Sequence, residues 1–379
     1  MTQTTSTENQ GPRLAIVGVG NCASTLVQGL TWYRRNSAQV GLMHPVIGGM
    51  SVGDIEIACA FDVDTRKIGT PVAKAVFAPP NNARIFCPDP DDNGAIVHAG
   101  PRFDGVAAHL EHFPADRRAV TDNPVKEIEI ADIVNILRQC KADVLVNYLP
   151  VGSQKATEFY AQACLEAGLA MVNCIPVFIA SDAGWAGRFS AAGLPIIGDD
   201  VKSQFGATII HRQLMALAEA RGIAVSTSYQ LNVGGNTDFL NMLERSRLGS
   251  KKTSKTEAVN SQLHTPLDAG HIHIGPSDYI PFLNDQKICY IRINAHGFGG
   301  LPMEVDVKLA VEDSPNSAGV VVDAVRCAWL ARKAGVGGPL MAVSAALMKH
   351  PPQQQPDADA AAAMDAWIAV NDAASPRRD

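Results

Sequence analysis

No run of about 18 consecutive apolar residues occurs in this 379-residue chain, so nothing in it reads as a membrane-spanning helix. The first eleven residues are polar and Ser/Thr-rich and lack the apolar centre of a secretory signal, which points to a cytoplasmic protein. Lys and Arg are not gathered into a stripe and the net charge is −6, which argues against nucleic acid, whose phosphates call for concentrated cations. No C-x-x-C pair is present and the eight cysteines are scattered without His at finger spacing, which argues against a zinc module. They read instead as small buried hydrophobes in a reducing compartment. No internal repeat is visible. What the chain does have is 46% apolar composition, enough for a sizeable core in one large domain or two moderate ones.

Leu14 to Gly18 is a short apolar run entering a glycine turn, and Ala23 to Tyr33 has helical spacing. A second strand is expected from Ile55 to Phe61, after a Gly-rich insertion in the crossover from Asn36 to Gly53. Pro79 to Gly105 is rich in Pro, Gly, Asn and Asp and reads as a long surface loop or small hairpin. From Glu127 strands and helices alternate, with strands at Asp143–Tyr148, Ala170–Asn173 and Pro195–Gly198, which predicts a parallel, doubly wound sheet. After Gly222, strands at Ala224–Asn232, His271–Ile274, Lys287–Ala295 and Glu304–Val311 predict a second, mostly antiparallel sheet. Helical spacing returns at Ala318–Ala334 and Leu340–Lys349, as expected for elements packing back on the first sheet. The expectation is an α/β protein with a discontinuous Rossmann-type domain over 12–202 and 312–350. An α+β domain is inserted over 203–311, and tails lie at 1–11 and 351–379. The second tail carries a peripheral helix at Ala360–Val370 and a disordered end.

Gly18-Val19-Gly20-Asn21-Cys22-Ala23 fits the G-x-G-x-x-G/A fingerprint, in which small residues let a pyrophosphate approach a helix N-terminus. An apolar strand precedes it, a helix follows, and the next strand ends on an acidic residue, Asp62, suited to ribose hydroxyls. A carboxylate there favours NAD over NADP, because it repels a 2′-phosphate. Asn147, Tyr148, Leu149, Pro150 and Asn173, at the ends of later strands, fall where the same crevice is expected.

The stretch from Gly198 to Lys255 has a different chemistry. Asp200 and Ser203, then Asn232, Asn236 and Asp238 among glycines, precede Lys251 and Lys255. Four residues apart on a helix, those lysines share a face and repel by roughly a few tenths of a kcal/mol, so the pair suits a bound anion. Backbone N–H groups, Asn amides and ammonium groups are the parts of a phosphate pocket. In a dry pocket a lysine also exchanges protons near neutrality and stabilises an enolate or alkoxide.

With AIVGVGNCAS, FDVD, VNYLPVGS, PVFIAS, GDDVKSQ, QLNVGGN, DFLNMLE, SKKTSK and EDSPNSAG in this order, the sequence resembles the inositol-3-phosphate synthase family, also called myo-inositol-1-phosphate synthases, in its actinobacterial form. The resemblance implies an NAD-dependent isomerase that turns glucose 6-phosphate into an inositol phosphate by oxidation at C5, enolisation, intramolecular aldol closure and reduction. It implies catalytic roles for Lys251, Lys287, Lys349, Asp200 and Asp313. Substrate contacts fall to Lys255, Ser203, Asn232, Asn236 and Asp238. Cofactor contacts fall to Gly18, Gly20, Asn21, Cys22, Ala23, Asp62, Asn147, Tyr148, Leu149, Pro150, Asn173 and Ser314. It further implies a homotetramer assembled through the inserted sheet. Some members of the family depend on a divalent metal ion, so a metal is an open expectation with no ligand set assigned, and His271-Ile272-His273 reads as structural.

Thr237, Gly249 and the stretch Gly297 to Pro302 depart from the usual actinobacterial pattern. They bear on the outer wall of the pocket, and leave open a carbocyclase for another phosphosugar, such as fructose 6-phosphate closing to a five-membered ring.

Overall fold

A computed structural model describes residues 11–121 and 127–373, apart from the side chains of Lys251, Lys252, Pro276, Ser277 and Ala373. The chain begins with β1 (Arg13–Val17), α1 (Asn21–Arg35), β2 (Glu56–Asp62) and β3 (Val97–Ala99). It continues through α2 (Ile130–Gln139), β4 (Val144–Asn147), α3 (Gln154–Ala167), β5 (Ala170–Asn173), α4 (Ala183–Ala191) and β6 (Pro195–Ile197). Next come α5 (Ala207–Ala220), β7 (Ala224–Gly234), α6 (Thr237–Asn241), α7 (Gly249–Asn260) and β8 (Ile272–Tyr279). β9 (Gln286–His296), β10 (Pro302–Glu312), α8 (Asp313–Lys333), β11 (Gly338–Pro339), α9 (Met341–Leu347) and α10 (Asp357–Ala373) complete it.

Seven strands form a parallel sheet in the order β11-β6-β5-β4-β1-β2-β3. The chain runs from β1 outward to β3 and then returns to place β4 on the other side of β1. The order therefore reverses between β1 and β4, and a crevice opens at their carboxyl ends. Val17 is in register with both Phe61 and Asn147, so the turns after β1, β2 and β4 leave the sheet at one level. The strands are buried on both faces, as the near-continuous apolar runs demand. α8 returns from the second sheet and buries Val321, Val325, Cys327 and Leu330 in the same core as β1 and α1.

Two expectations change, for the loop and for the tail, and the mostly antiparallel second sheet gains a strand direction. Pro79–Gly105 is not all loop: β3 pairs with β2 through Ala60 and Val97, and at three residues is too short to display a period. The four-stranded sheet, in order β8-β7-β9-β10, is antiparallel except for β8, which runs parallel to β7. Residues between β7 and β8 hold α6 and α7, a crossover long enough for a parallel pair. The tail from 351 is more than peripheral, since α10 starts at Asp357 and buries Met364 and Ile368 in the main core; residues 374–379 lie outside the described residues.

α10 is also held by charge. His44, in the insertion after α1, places Nδ1 2.6 Å from Asp323 of α8 and Nε2 2.9 Å from Asp365 of α10. Arg326 pairs with Asp323 and donates to the carbonyl of His44 at 2.7 Å, fixing the insertion. The hydrogen bond to Asp323, with Asp365 adding, raises the His44 pKa above its ordinary 6.5. A raised folded-state pKa stabilises fully below the ordinary value, and that contribution is lost as pH rises through the raised one. The melting temperature of wild type minus that of His44→Gln is therefore expected to be largest at mildly acidic pH and to shrink in alkaline buffer; a constant gap removes His44 from the pH response.

Candidate functional site

The turns that leave β1, β2 and β4 meet α7, β9, α8 and the segment after α9 around a cavity of about 280 Å³. Gly18 has φ +86°, a conformation that glycine adopts without steric cost, and a Cβ there would lie 2.7 Å from the Tyr148 carbonyl oxygen. Gly20 lines the cavity and precedes α1, which has no side-chain cap, and a Cβ on it would meet nothing within 4 Å. An uncapped N-terminus of a 15-residue helix fronting open space suits a pyrophosphate. Asp62 lines the same end, and its carboxylate accepts the Val19 N–H at 2.7 Å together with the N–H groups of Val63 and Asp64. The two following cations are engaged elsewhere. Arg66 is held by Asp64 and the carbonyls of Ala115 and Arg118, and Lys67, 2% exposed, donates to Val19 O and Asn81 Oδ1.

At the other end, Lys287 Nζ lies 3.2 Å from Asp313 Oδ1, both lining the cavity. Burial alone pulls the Lys287 ammonium down, but Asp313 outweighs it and the pKa is raised. Lys349 Nζ donates to Asp200 Oδ1 at 2.9 Å and to Val201 O at 2.7 Å, and Ser254 Oγ donates to Asp200 Oδ2 at 2.8 Å. Lys349 is not in a helix as expected from its spacing: α9 ends at Leu347, and Met348 is extended and bridges Val201. Pairing with the Asp200 turn overrides the helical pattern. Lys255, 5% exposed, and Ser203 and Asp238 complete this wall, while Asn236 lines it and caps α6 by accepting from Asp238 N and Phe239 N.

Of the residues singled out in the sequence, Gly18, Gly20, Asn21, Cys22, Asp62, Tyr148, Leu149, Pro150 and Ser314 line the cavity beside those lysines and carboxylates. Ala23, Asn147, Asn173 and Asn232 lie behind the lining and are fully buried. Asn147 donates to Asn173, which donates to Asp199 at 2.7 Å, so these amides brace the strand ends. Asn232 donates to Gly275 O within the second sheet. The side chain of Lys251 lies outside the described residues. Thr237 lines the cavity, whereas none of 297–302 does: that stretch is the turn between β9 and β10, with Phe298 and Leu301 exposed.

Asp285 was not anticipated. It is 1% exposed, and its Oδ1 accepts from Asn21 Nδ2 at 3.0 Å, Asn236 Nδ2 at 3.1 Å and Ser314 Oγ at 2.8 Å, tying the glycine turn to α6 and α8. Burial, with Asp313 adding, pushes its pKa up to about 6. Its sequence signal, an acid two residues before Lys287, is too common to stand out. Among the described residues no group of three or more His, Cys, Asp or Glu side chains is disposed to hold a metal ion, and no helix is long and apolar enough to cross a membrane.

Residues 206–314 match the family model of myo-inositol-1-phosphate synthase. The inositol-3-phosphate synthase of Mycolicibacterium smegmatis is 50% identical over 363 residues, spanning 94% of this chain and 97% of that protein. That of Corynebacterium glutamicum is 49% identical over 364 residues, spanning 94% and 98%. The crystal structure of Ari2 superposes with a TM-score of 0.76 at 35% identity, covering 96% of this chain and 99% of that one. Identity of this degree over almost the whole length, on a doubly wound sheet with the lysine-lined cavity at its switch point, means that the chain belongs to the inositol-3-phosphate synthase family of enzymes.

Proposed function

We propose that the protein converts D-glucose 6-phosphate to 1D-myo-inositol 3-phosphate with NAD as a cofactor that is not consumed. The observation that carries this reading is a single cavity lined at one end by the Gly18–Gly20 turn and Asp62 and at the other by Lys255, Lys287 and Lys349. NAD fits the first end: Gly20 leaves space before α1, Asp62 suits the adenosine ribose, and neither Arg66 nor Lys67 is available for a 2′-phosphate. Held by the Gly18–Gly20 turn and Asp62, NAD would supply the hydride acceptor and, later, the hydride donor that oxidation and reduction at C5 of the open-chain sugar require.

The chain's own groups supply the rest. The Lys349–Asp200 pair, with Ser254 behind it, can take a hydroxyl proton and give it back. Lys287, kept charged by Asp313, and Lys255 compensate the negative charge that develops on the C5 oxygen, the enolate and the aldol oxygen. Asn236, Asp238 and Ser203 line the same wall and are suited to sugar hydroxyls and phosphate. Burial of the lysines keeps the reacting end dry, which a cycle with an oxidised intermediate requires.

The same reading assigns 12–202 with 312–350 to the nucleotide domain and 203–311 to catalysis and assembly. The outer face of the four-stranded sheet, with Tyr229, Leu231 and Tyr290 exposed, is a surface suited to a homotetramer.

The test is incubation of ¹³C-labelled glucose 6-phosphate with a catalytic amount of NAD. Six ring carbons, no anomeric carbon signal and no net NADH are expected, and NADP should not replace NAD. A five-membered ring formed only from fructose 6-phosphate would reassign the substrate, and equal use of NADP would remove Asp62 from cofactor choice.

A further inference from the structure

Behind the Asp200 turn and outside the cavity, two cations are buried against one carboxylate. Lys202 is 2% exposed and Arg212, on α5, is 0% exposed. Lys202 Nζ donates to Ala345 O at 2.8 Å and to Asp357 Oδ1 at 3.2 Å. Arg212 Nε lies 3.0 and 2.9 Å from the two Asp357 oxygens, and its Nη2 lies 2.8 Å from Oδ1. Asp357 opens α10, where the helix N-terminus also favours a negative charge. Burial raises its pKa, yet the hydrogen bond from Arg212 and the two cationic charges outweigh this and hold it below the ordinary carboxylate value. Burial, the largest effect on Lys202, lowers that ammonium to about 8. Buried ions of this kind depend on their partners to stay charged in place.

What these groups reach gives the junction its meaning. Arg212 also donates to Ala258 O and, at 3.1 Å, to Ser261 Oγ, at the end of the helix that carries Lys255 and Ser254. It donates to Gln355 O at 2.9 Å, and the neighbouring Gln354 donates to Lys349 O at 2.6 Å. Lys202 belongs to the Asp200 turn itself, whose backbone pairs with the Lys349 segment through Lys349 N to Asp200 O and His350 N to Asp199 O. One anion thus fastens three segments that are remote in sequence and that carry Asp200, Lys255 and Lys349. Docking of α10 does not rest on this anion alone, because Ala360, Met364 and Ile368 are buried as well.

We propose that Asp357 is a positioning residue for the lysine site: from the C-terminal helix it pairs with buried Lys202 and Arg212 and so sets the spacing of the Asp200 turn, α7 and Lys349, without touching substrate. This rests on the carbocyclase reading given above.

The experiment is Asp357→Asn, assayed per NAD-binding molecule so that unfolded protein is not counted. The turnover number is expected to fall about tenfold or more at saturating glucose 6-phosphate, while the NAD dissociation constant stays within about twofold. Asp357→Glu, which keeps the charge, should return turnover to within about threefold of wild type, and Asp359→Asn, an exposed acid on the same helix, should leave it unchanged. A purely stabilising role would lower the melting temperature and leave turnover per NAD-binding molecule as it was; turnover of Asp357→Asn within about threefold of wild type overturns the proposal. Should that variant not fold, Lys202→Met/Asp357→Asn removes one cation with the anion and keeps the cluster's net charge, and the same thresholds apply. If wild type does not turn over glucose 6-phosphate, the functional reading has failed, and the positioning is read from amide exchange. In Asp357→Asn the Lys349 and His350 N–H groups should then exchange at least about tenfold faster, with Val146 in β4 unchanged, and equal rates at all three overturn it.

Discussion

Lys287→Ala and Lys349→Ala are each expected to lower the turnover number by about a hundredfold or more while leaving the protein folded and able to bind NAD, the scale of removing a charge partner from a transition state. Both side chains are largely buried at the cavity wall, at 17% and 13% exposure, so water replaces neither charge well. Losing Lys287 removes the ammonium that lies 3.2 Å from Asp313, whose charge already raises the pKa of Asp285. Losing Lys349 leaves Asp200 without its proton partner and Val201 O without a donor. A structural explanation competes in the first case, because Lys287 also balances Asp313. The double variant Lys287→Ala/Asp313→Asn tests that explanation: activity that returns when the unbalanced carboxylate is also neutralised means that the lysine served charge balance. Either single variant keeping more than about a tenth of wild-type turnover would take that lysine out of the catalytic set.

Gly18→Ala should abolish useful nucleotide binding, weakening NAD by about a hundredfold or more, since each 1.4 kcal/mol lost is about tenfold in affinity. The new Cβ would sit 2.7 Å from Tyr148 O and 3.0 Å from its carbonyl carbon, both backbone atoms at the end of a central strand. Neither can swing aside as a flexible side chain would, and φ +86° is itself unfavourable for alanine. The turn must therefore move, taking with it Val19 N, which Asp62 holds, and Val19 O, which Lys67 holds. Gly20→Ala is the informative contrast. Its Cβ meets no protein atom, so any loss of NAD there reports the ligand's own approach and not a displaced turn. Calorimetric titration of both variants checks this, and a Gly18→Ala protein binding NAD within about threefold of wild type would sink the argument.

The strand, glycine turn and helix at 13–35 were legible because each element announces itself locally: apolar β1, small residues at the turn, helical spacing after it. Alternation over 127–198 sufficed for a parallel sheet for the same reason. β3 was not legible, since three residues amid Pro and Gly carry no period and gain their strand character from β2 alongside. Nor was the parallel β7–β8 pair, whose direction depends on where α6 and α7 pack during the crossover.

By itself the sequence determined the doubly wound class, the glycine turn after β1 with Asp62 beyond it, and a supply of lysines and amides too specific for an ordinary surface. These follow from local spacing and residue chemistry. Tertiary structure alone decided which charge meets which. Lys287 and Asp313 are 26 residues apart, Lys349 and Asp200 are 149 apart, and Lys202 and Asp357 are 155 apart. Asp285 likewise became a hub only when Asn21, Asn236 and Ser314 converged on it. A carboxylate carries the same residue letter whether it is solvated or buried, and its pKa and partners are set by what the fold packs around it.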